Sequence, residues 1–349
     1  MQPLLYGLNN SNHDWTERPS WGKNVFNNAF PMSLIMFMYS KGLAPVYLKV
    51  DDNLNVIHST VSDKELFNCS FDNPNIFFDF ESGYEPFEKY VSVRLPRIDV
   101  VVRDKESKEP LSALEVKLTT LPDNSTCKFN EDRYSTEIVC RPDTIVYIAL
   151  SIIKSFESNP HLLKQIVSPT YEKIENWRDR NEIENSKEAL IKVIDDLMLH
   201  NATYQTPIIV QPVWKTVGKS ARLAEDSFDV FIWSNYAFTR LFLDSSRNAN
   251  DINRNFRSII WLSKMLWNYV QSGDILHQET IDDLSFNTRN DKAFAASGIV
   301  TYSYLKSPEL SKPRISKEAL KEIILGGGEE LLSPERRLDA VIQASDLFN

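Results

Sequence analysis

The pattern of apolar and polar positions centres on Leu95 to Lys117, LPRIDVVVRDKESKEPLSALEVK, which reads as two short strands joined by a charged turn. The β-branched run Ile98, Val100, Val101 and Val102 predicts a strand over residues 97–103. A charged turn over 104–110 follows, then a second strand over 111–118. Side chains alternate across a strand, so Leu114, Val116 and Leu118 share one face, and Glu115 and Lys117 share the other. If the pair is antiparallel and turns near Ser107, Asp99 lies opposite Glu115, roughly 5 Å away, and diagonal to Lys117, about 7 Å away. Two carboxylates and one ammonium then meet on one patch of a sheet.

The remaining pattern builds around this hairpin. A helix is expected from Asn24 or Pro31 to Lys41, with Gly42 past its end. PVYLKV and NVIHSTV over 45–61 read as two strands about an Asp51-Asp52-Asn53 turn, and SDKEL at 62–66 as a short helix. NIFFDFE at 75–81 is an apolar strand carrying Asp79 and Glu81. EIVC at 137–140 is a short strand. Arg141-Pro142-Asp143-Thr144 then opens a helix whose stripe is Ile145, Ile148, Ala149, Ile152, Ile153 and Phe156. This helix is expected to cover the Leu114–Val116–Leu118 face. Residues 168–200 read as largely helical, starting at Ser168-Pro169-Thr170, with Leu190, Val193, Ile194 and Leu197 as the apolar stripe. QTPIIVQPVWKTV at 205–217 returns to strand, and Pro207 and Pro212 place it at an edge or a bulge. DVFIW at 229–233 is a buried strand, and 257–271 is an amphipathic helix ended by Gly273. A glycine break at 326–328 and a helix over 334–348 close the chain.

Composition bounds the class. A chain of 349 residues with 42% hydrophobic and 11% aromatic content is globular, and long enough to bury a large core. No basic segment followed by an apolar run opens it, and its apolar runs are too short for a bilayer, so the expectation is a cytoplasmic protein without membrane association. Three cysteines without CxxC spacing argue against a disulfide framework or zinc site. The net charge of −9 argues against a non-specific nucleic-acid binder, and leaves room for a site-specific one with a local basic groove.

The hairpin residues carry the chemistry. Carboxylate oxygens suit Mg²⁺, which lowers the pKa of a bound water and polarises a phosphoryl group, while a neighbouring lysine orients the water or offsets charge. Asp99, a fifteen-residue spacer, then Glu115-Val116-Lys117 resembles the PD-(D/E)xK nuclease motif, with the proline, Pro96, displaced by two positions. The competing reading is an ordinary hairpin with a surface Glu–Lys pair. Glu81 or Asp79 is the candidate for an additional metal-binding acid, the alternative being two acids on an exposed strand edge. Candidate DNA contacts are Lys23 and Asn24 in the asparagine- and aromatic-rich segment 6–30, Asn124 in the polar loop 119–126, and Arg141. Lys215, Lys219 and Arg222 add to them, within a basic stretch that continues through Arg240, Arg247, Arg254 and Arg257.

Several motifs together are similar to one family. They are Tyr6-Gly7-Leu8 with Ser11-Asn12, Trp21-Gly22-Lys23-Asn24, Leu114 to Thr119 running into Leu121-Pro122-Asp123, Arg141 to Ile145, and Phe228 to Asn235. The chain resembles the HindVP family of type II restriction endonucleases over most of its length. The resemblance implies an α+β fold with a PD-(D/E)xK restriction-endonuclease-like core: a mixed central sheet flanked by helices, with additional helical segments. It implies one endonuclease unit over 1–349, in approximate parts: an N-terminal arm and helix (1–60), a catalytic core (61–157), a helical insertion (158–204) and a DNA-binding or dimerisation part (205–349). It implies Mg²⁺-dependent double-strand cleavage of DNA at a short palindrome, of GRCGYC type, by a homodimer. A DNA methyltransferase is expected in the same system, though not as a stable subunit. Asp99, Glu115 and Lys117 carry over as the active site. Two readings stay open beside it: another PD-(D/E)xK nuclease of repair or recombination, and a DNA-binding protein in which the hairpin is only structural.

Overall fold

A strand rich in β-branched residues, a charged turn and a second strand form the expected hairpin. A computed structural model describes residues 46–60, 64, 69, 73, 75–117, 138–140, 142–200, 207–210, 214–217, 220–223, 226–227, 231–247, 251–286, 294–296 and 315–316. Strands β1 (Val46–Val50), β2 (Val56–Thr60) and β3 (Ile76–Ser82) lead through the short helix α1 (Glu85–Glu88) into β4 (Ile98–Asp104) and β5 (Pro110–Lys117). The β4–β5 turn is tied by Asp104, whose carboxylate accepts from the N–H groups of Ser107 at 2.8 Å and Glu106 at 3.0 Å. Lys108 completes it at φ +65°, in the left-handed region. The arm 6–30, the helix expected before Lys41, the loop 119–126 and the helix over 334–348 lie outside the described residues, as does nearly all of 62–66.

After β6 (Ile138–Cys140) come the helices α2 (Pro142–Ser155), α3 (Pro160–Tyr171), α4 (Arg180–Asn185) and α5 (Lys187–His200). Strands β7 (Pro207–Val210), β8 (Trp214–Val217), β9 (Ser220–Leu223), β10 (Asp226–Ser227) and β11 (Phe231–Ser234) follow. Helices α6 (Asn235–Arg247), α7 (Arg254–Ser272) and α8 (His277–Asp283), then the short β12 (Phe294–Ala296) and β13 (Ile315–Ser316), complete the described elements.

The main sheet is mixed and seven-stranded, in the order β2-β1-β11-β7-β5-β4-β3. β3, β4 and β5 are antiparallel neighbours, whereas β7 lies parallel to β5 and β1 parallel to β11. With helices packed against this sheet, the fold is α+β. β5 is interior, flanked by β4 and β7, and both of its faces are buried: Leu114 and Val116 on one, Ala113 and Glu115 on the other.

Four sequence expectations change. The helix α2 does not lie over the Leu114–Val116 face. Val101 and Ala113, which share the Asp99–Glu115 face, belong to the same buried cluster as Ile145, Ile148 and Ile152 of α2, and Thr144 of α2 reaches Glu115. Alternation separates two faces but does not say which of them a helix covers when both are apolar. The helical stripe was also too narrow, because every residue from Thr144 to Ile153 is buried, as befits a helix enclosed on all sides.

The segment 168–200 is largely helical, made of the end of α3, α4 and α5, but Pro169 sits in the last turn of α3 instead of starting a helix. Asp179 caps α4 by accepting from Asn181 N–H at 2.8 Å, and the Glu182 carboxylate takes the N–H groups of Glu175 and Asn176 in the intervening turn. The apolar stripe Leu190, Val193, Ile194 and Leu197 is buried as expected.

β7 is interior, not an edge strand, with β5 on one side and β11 on the other. Pro207 is tolerated because it is the first residue of the strand, where a missing N–H costs the ladder least. α7 runs through the helical layer against α2, α3, α5, α6 and α8. Asn253 caps its start by accepting from Phe256 N–H at 2.8 Å, and Gly273 ends it at φ +76°. No helix among the described residues is long and apolar enough to cross a membrane.

Candidate active site

The β4–β5 register fixes the geometry of the carboxylate pair. Val100 pairs with Leu114, Val101 with Ala113 and Val102 with Ser112, so the next rung sets Asp99 against Glu115. There the Asp99 carboxylate accepts the backbone N–H of Val116 at 2.7 Å. This bond holds the Asp99 side chain across to β5. Glu115 is only 8% exposed, and burying a carboxylate is costly unless something answers its charge. Thr144, fully buried in the first turn of α2, donates a long hydrogen bond of 3.5 Å to Glu115 Oε1. The N-terminal turn of α2 therefore lies beside Glu115.

The field at this place is negative. Tyr147, one turn along α2, is buried, and its hydroxyl pKa is pushed well up, first by burial and then by the charges of Glu115, Asp143, Asp99 and Glu88. The phenol therefore stays protonated and donates to the carbonyl of Pro96, three residues before Asp99. A buried Glu115 beside a half-buried Asp99 in a negative field is a donor set suited to a hard divalent cation. Among the described residues no group of three or more His, Cys, Asp or Glu side chains gathers as a metal site.

The backbone places two further sequence candidates. Lys117 ends β5, two residues beyond Glu115, at the rung where β5 meets Val210 of β7. Glu81 lies between the pairs Phe80–Val100 and Ser82–Ile98, so the β3–β4 register sets it across from Asp99. Glu81, Asp99 and Glu115 thus occupy one row across three adjacent strands. Asp79 is placed otherwise. It pairs with Val101 in register, and its carboxylate accepts from Arg103 Nε at 3.0 Å and from the Ser82 hydroxyl at 2.7 Å.

Among the basic candidates, Lys215 and Arg222 face each other in the β8–β9 pair, while Lys23, Asn24, Asn124, Arg141 and Lys219 fall outside the described residues. The later arginines of the basic stretch serve the fold. Arg240 binds Asp195 at 2.8 Å and Asp244 at 3.0 Å, Arg247 joins the same acids, and Arg257 is 1% exposed against the Trp261 ring. Thr144 and Tyr147 were missed from sequence. A threonine beside a helix start and a tyrosine among isoleucines carry no signal in periodicity, and only the fold brings them to the acids.

Comparison with known proteins decides the affiliation. A profile of the HindVP restriction endonuclease family matches residues 21–348. The chain belongs to the HindVP restriction endonuclease family. Among its relatives, the type II restriction enzyme HgiDI of Herpetosiphon aurantiacus is 41% identical over 350 residues, covering 99% of this chain and 97% of that protein. The probable type II restriction enzyme HindVP of Haemophilus influenzae is 39% identical over 352 residues, covering 100% and 96%. No solved structure matches the chain. The HindVP-family match takes in β4, β5 and α2, so the acidic pair, Lys117 and Thr144 all lie within it.

Proposed function

We propose that this chain is a type II restriction endonuclease that cuts both strands of duplex DNA at a short palindrome, with Asp99, Glu115 and Lys117 as its active site. The observation that carries the reading is the rung at which Asp99 falls opposite Glu115 on a buried sheet face, inside a chain matched almost throughout to a restriction endonuclease family. The order β3, β4, β5, α2, followed by β7 returning parallel beside β5, supports a PD-(D/E)xK core.

Asp99 and Glu115 would hold Mg²⁺, with Glu81, across from Asp99, as the third acid. The bound ion supplies Lewis-acid polarisation of the phosphodiester and a water of lowered pKa. Asp99, tied to Val116 N–H, and Glu115, held by Thr144, keep their carboxylates in fixed positions, so little reorganisation accompanies the reaction. Lys117 orients the attacking water and offsets charge growing on the phosphoryl oxygens. A palindromic target of GRCGYC type calls for a two-fold homodimer, each subunit cutting one strand. A methyltransferase of the same specificity protects the host's own DNA.

The test is digestion of long unmethylated DNA by the purified protein in Mg²⁺, beside Lys117→Ala and an EDTA control, with the fragment ends sequenced. Discrete fragments from the wild type alone, and only with the metal, are expected. No cleavage by folded wild type across several divalent metals and DNA sources refutes the assignment, and equal cleavage by Lys117→Ala refutes the active site.

A further inference from the structure

An acidic protein with a negative active site must still hold a polyanion. The chain carries a net charge of −9, and many of its described cations are engaged in ion pairs. Arg103 binds Asp79 and Glu85, Arg178 binds Asp283, Arg180 binds Glu184 and Asp251, and Lys89 and Lys154 bind Glu157. The positive charge that meets DNA has to come from a place where cations gather without acids.

By its sequence, the β8–β9 hairpin is a stretch that carries basic residues and no acid. Trp214 pairs with Leu223, Lys215 with Arg222, Thr216 with Ala221 and Val217 with Ser220. One rung therefore holds two cations, an arrangement that disfavours the pair by itself and is relieved by an anion. Gly218 and Lys219 join the strands, and the sequence WKTVGKSARL from 214 to 223 contains three basic residues and no acid.

Its position follows from the chain path. β7 runs parallel to β5, with Val210 at the Lys117 rung, and only residues 211–213 separate Val210 from Trp214. At most about 3.6 Å per residue puts Trp214 within about 14 Å of Val210. Val210 in turn lies about 5 Å from Lys117 across the parallel pair. The hairpin thus starts within about 19 Å of the Lys117 rung. That is some five or six base pairs at about 3.4 Å each along one strand.

Building on the endonuclease reading, we infer that the rung formed by Lys215 and Arg222 is a clamp on the phosphate backbone of the duplex beside the scissile bond. It adds affinity and holds the strand near Asp99 and Glu115. It reads no bases, because phosphate contacts carry no sequence information directly.

The experiment measures binding of a duplex without the recognition site, with no divalent cation, as a function of salt. Each phosphate contact contributes about −0.9 to the slope of log K against log salt. Lys215→Gln/Arg222→Gln is expected to flatten the wild-type slope by roughly 2 and to weaken binding most at low salt, leaving the cleavage sequence unchanged. Two controls guard the result. Lys164→Gln/Lys173→Gln, on exposed positions of the α3 side, removes the same net charge and should leave the slope nearly intact. The exchange Lys215→Arg/Arg222→Lys keeps both charges and should keep the slope; losing it as the Gln variant does would show a structural effect and overturn the inference. An unchanged slope in the Gln variant, or an equal loss in the Lys164/Lys173 control, also overturns it. Wild type that still cuts DNA in those cases leaves the endonuclease reading standing. Wild type that neither binds nor cuts DNA removes both.

Discussion

Arg103→Ala tests whether the hairpin's register depends on one buried guanidinium. Arg103 is 7% exposed at the far end of β4 from the acids, where the β4–β5 register shifts by a residue. It donates to Asp79 from Nε at 3.0 Å, to Glu85 and the Gly83 carbonyl at 2.9 Å, to the Ser82 hydroxyl at 3.2 Å, and to the Lys108 carbonyl at 3.2 Å. One side chain thus joins β3, α1 and the turn. Burial alone would lower its pKa, but Glu85 and Asp79 outweigh that and push it up, so the charge is permanent.

Removing one partner of a buried pair costs about 3–5 kcal/mol. Glu85 is half-exposed and contributes little, whereas Asp79 is 22% exposed and would lose its main cation, so about 3 kcal/mol is expected. An unfolding entropy of about 2.1 cal/mol/K per residue makes this a fall of about 4 °C in Tm for 349 residues. Thermal unfolding followed by circular dichroism reads it, with Arg103→Lys as a partial rescue that keeps the charge and loses the fork. Because the same strand sets Asp99 opposite Glu115, cleavage at temperatures well below Tm should fall too. A variant that melts within 1 °C of wild type would refute the reasoning, since the guanidinium would then be replaceable by water.

Two further outcomes are expected. Thr144→Val removes the hydroxyl that approaches Glu115; its bond is long, so a loss of about 1.5 kcal/mol, or roughly tenfold in cleavage rate, is expected, with Thr144→Ser restoring it. A full rate in Thr144→Val, measured in single-turnover cleavage, would remove Thr144 from the site. His277 is 5% exposed and its pKa is lowered, chiefly by burial and against the opposing pull of Asp143 and Asp274. A lowered folded pKa means that its share of stability is intact above the ordinary value near 6.5 and is lost as pH falls below it. His277→Phe should therefore flatten the decline of Tm between about pH 6.5 and pH 5 relative to wild type, and parallel curves would refute the claim.

The chemistry of this protein was written locally. Asp99, the charged turn and Glu115-Val116-Lys117 lie within nineteen residues, and a hairpin with a short turn leaves few registers, so an antiparallel pair turning near Ser107 sets Asp99 opposite Glu115, as the register shows. The helix starting at Pro142 was legible for the same reason, since its signals are nearest neighbours. What the sequence left open depends on contacts distant along the chain. Val116 and Val101 are equally apolar, so only the packed structure decides that α2 covers the face of Val101, and with it that Thr144 and Tyr147 meet the acids. The prolines near β7 suggested an edge, but its place between β5 and β11 comes from pairing across some ninety residues with β5. Charge followed the same rule. Asp79 and Glu81 looked equivalent in one strand, as did the arginines from 222 to 257, until register gave Asp79 to Arg103, set Glu81 across from Asp99, and buried Arg257 against Trp261. Periodicity states which residues share a face; what that face meets is a property of the assembled sheet and helices.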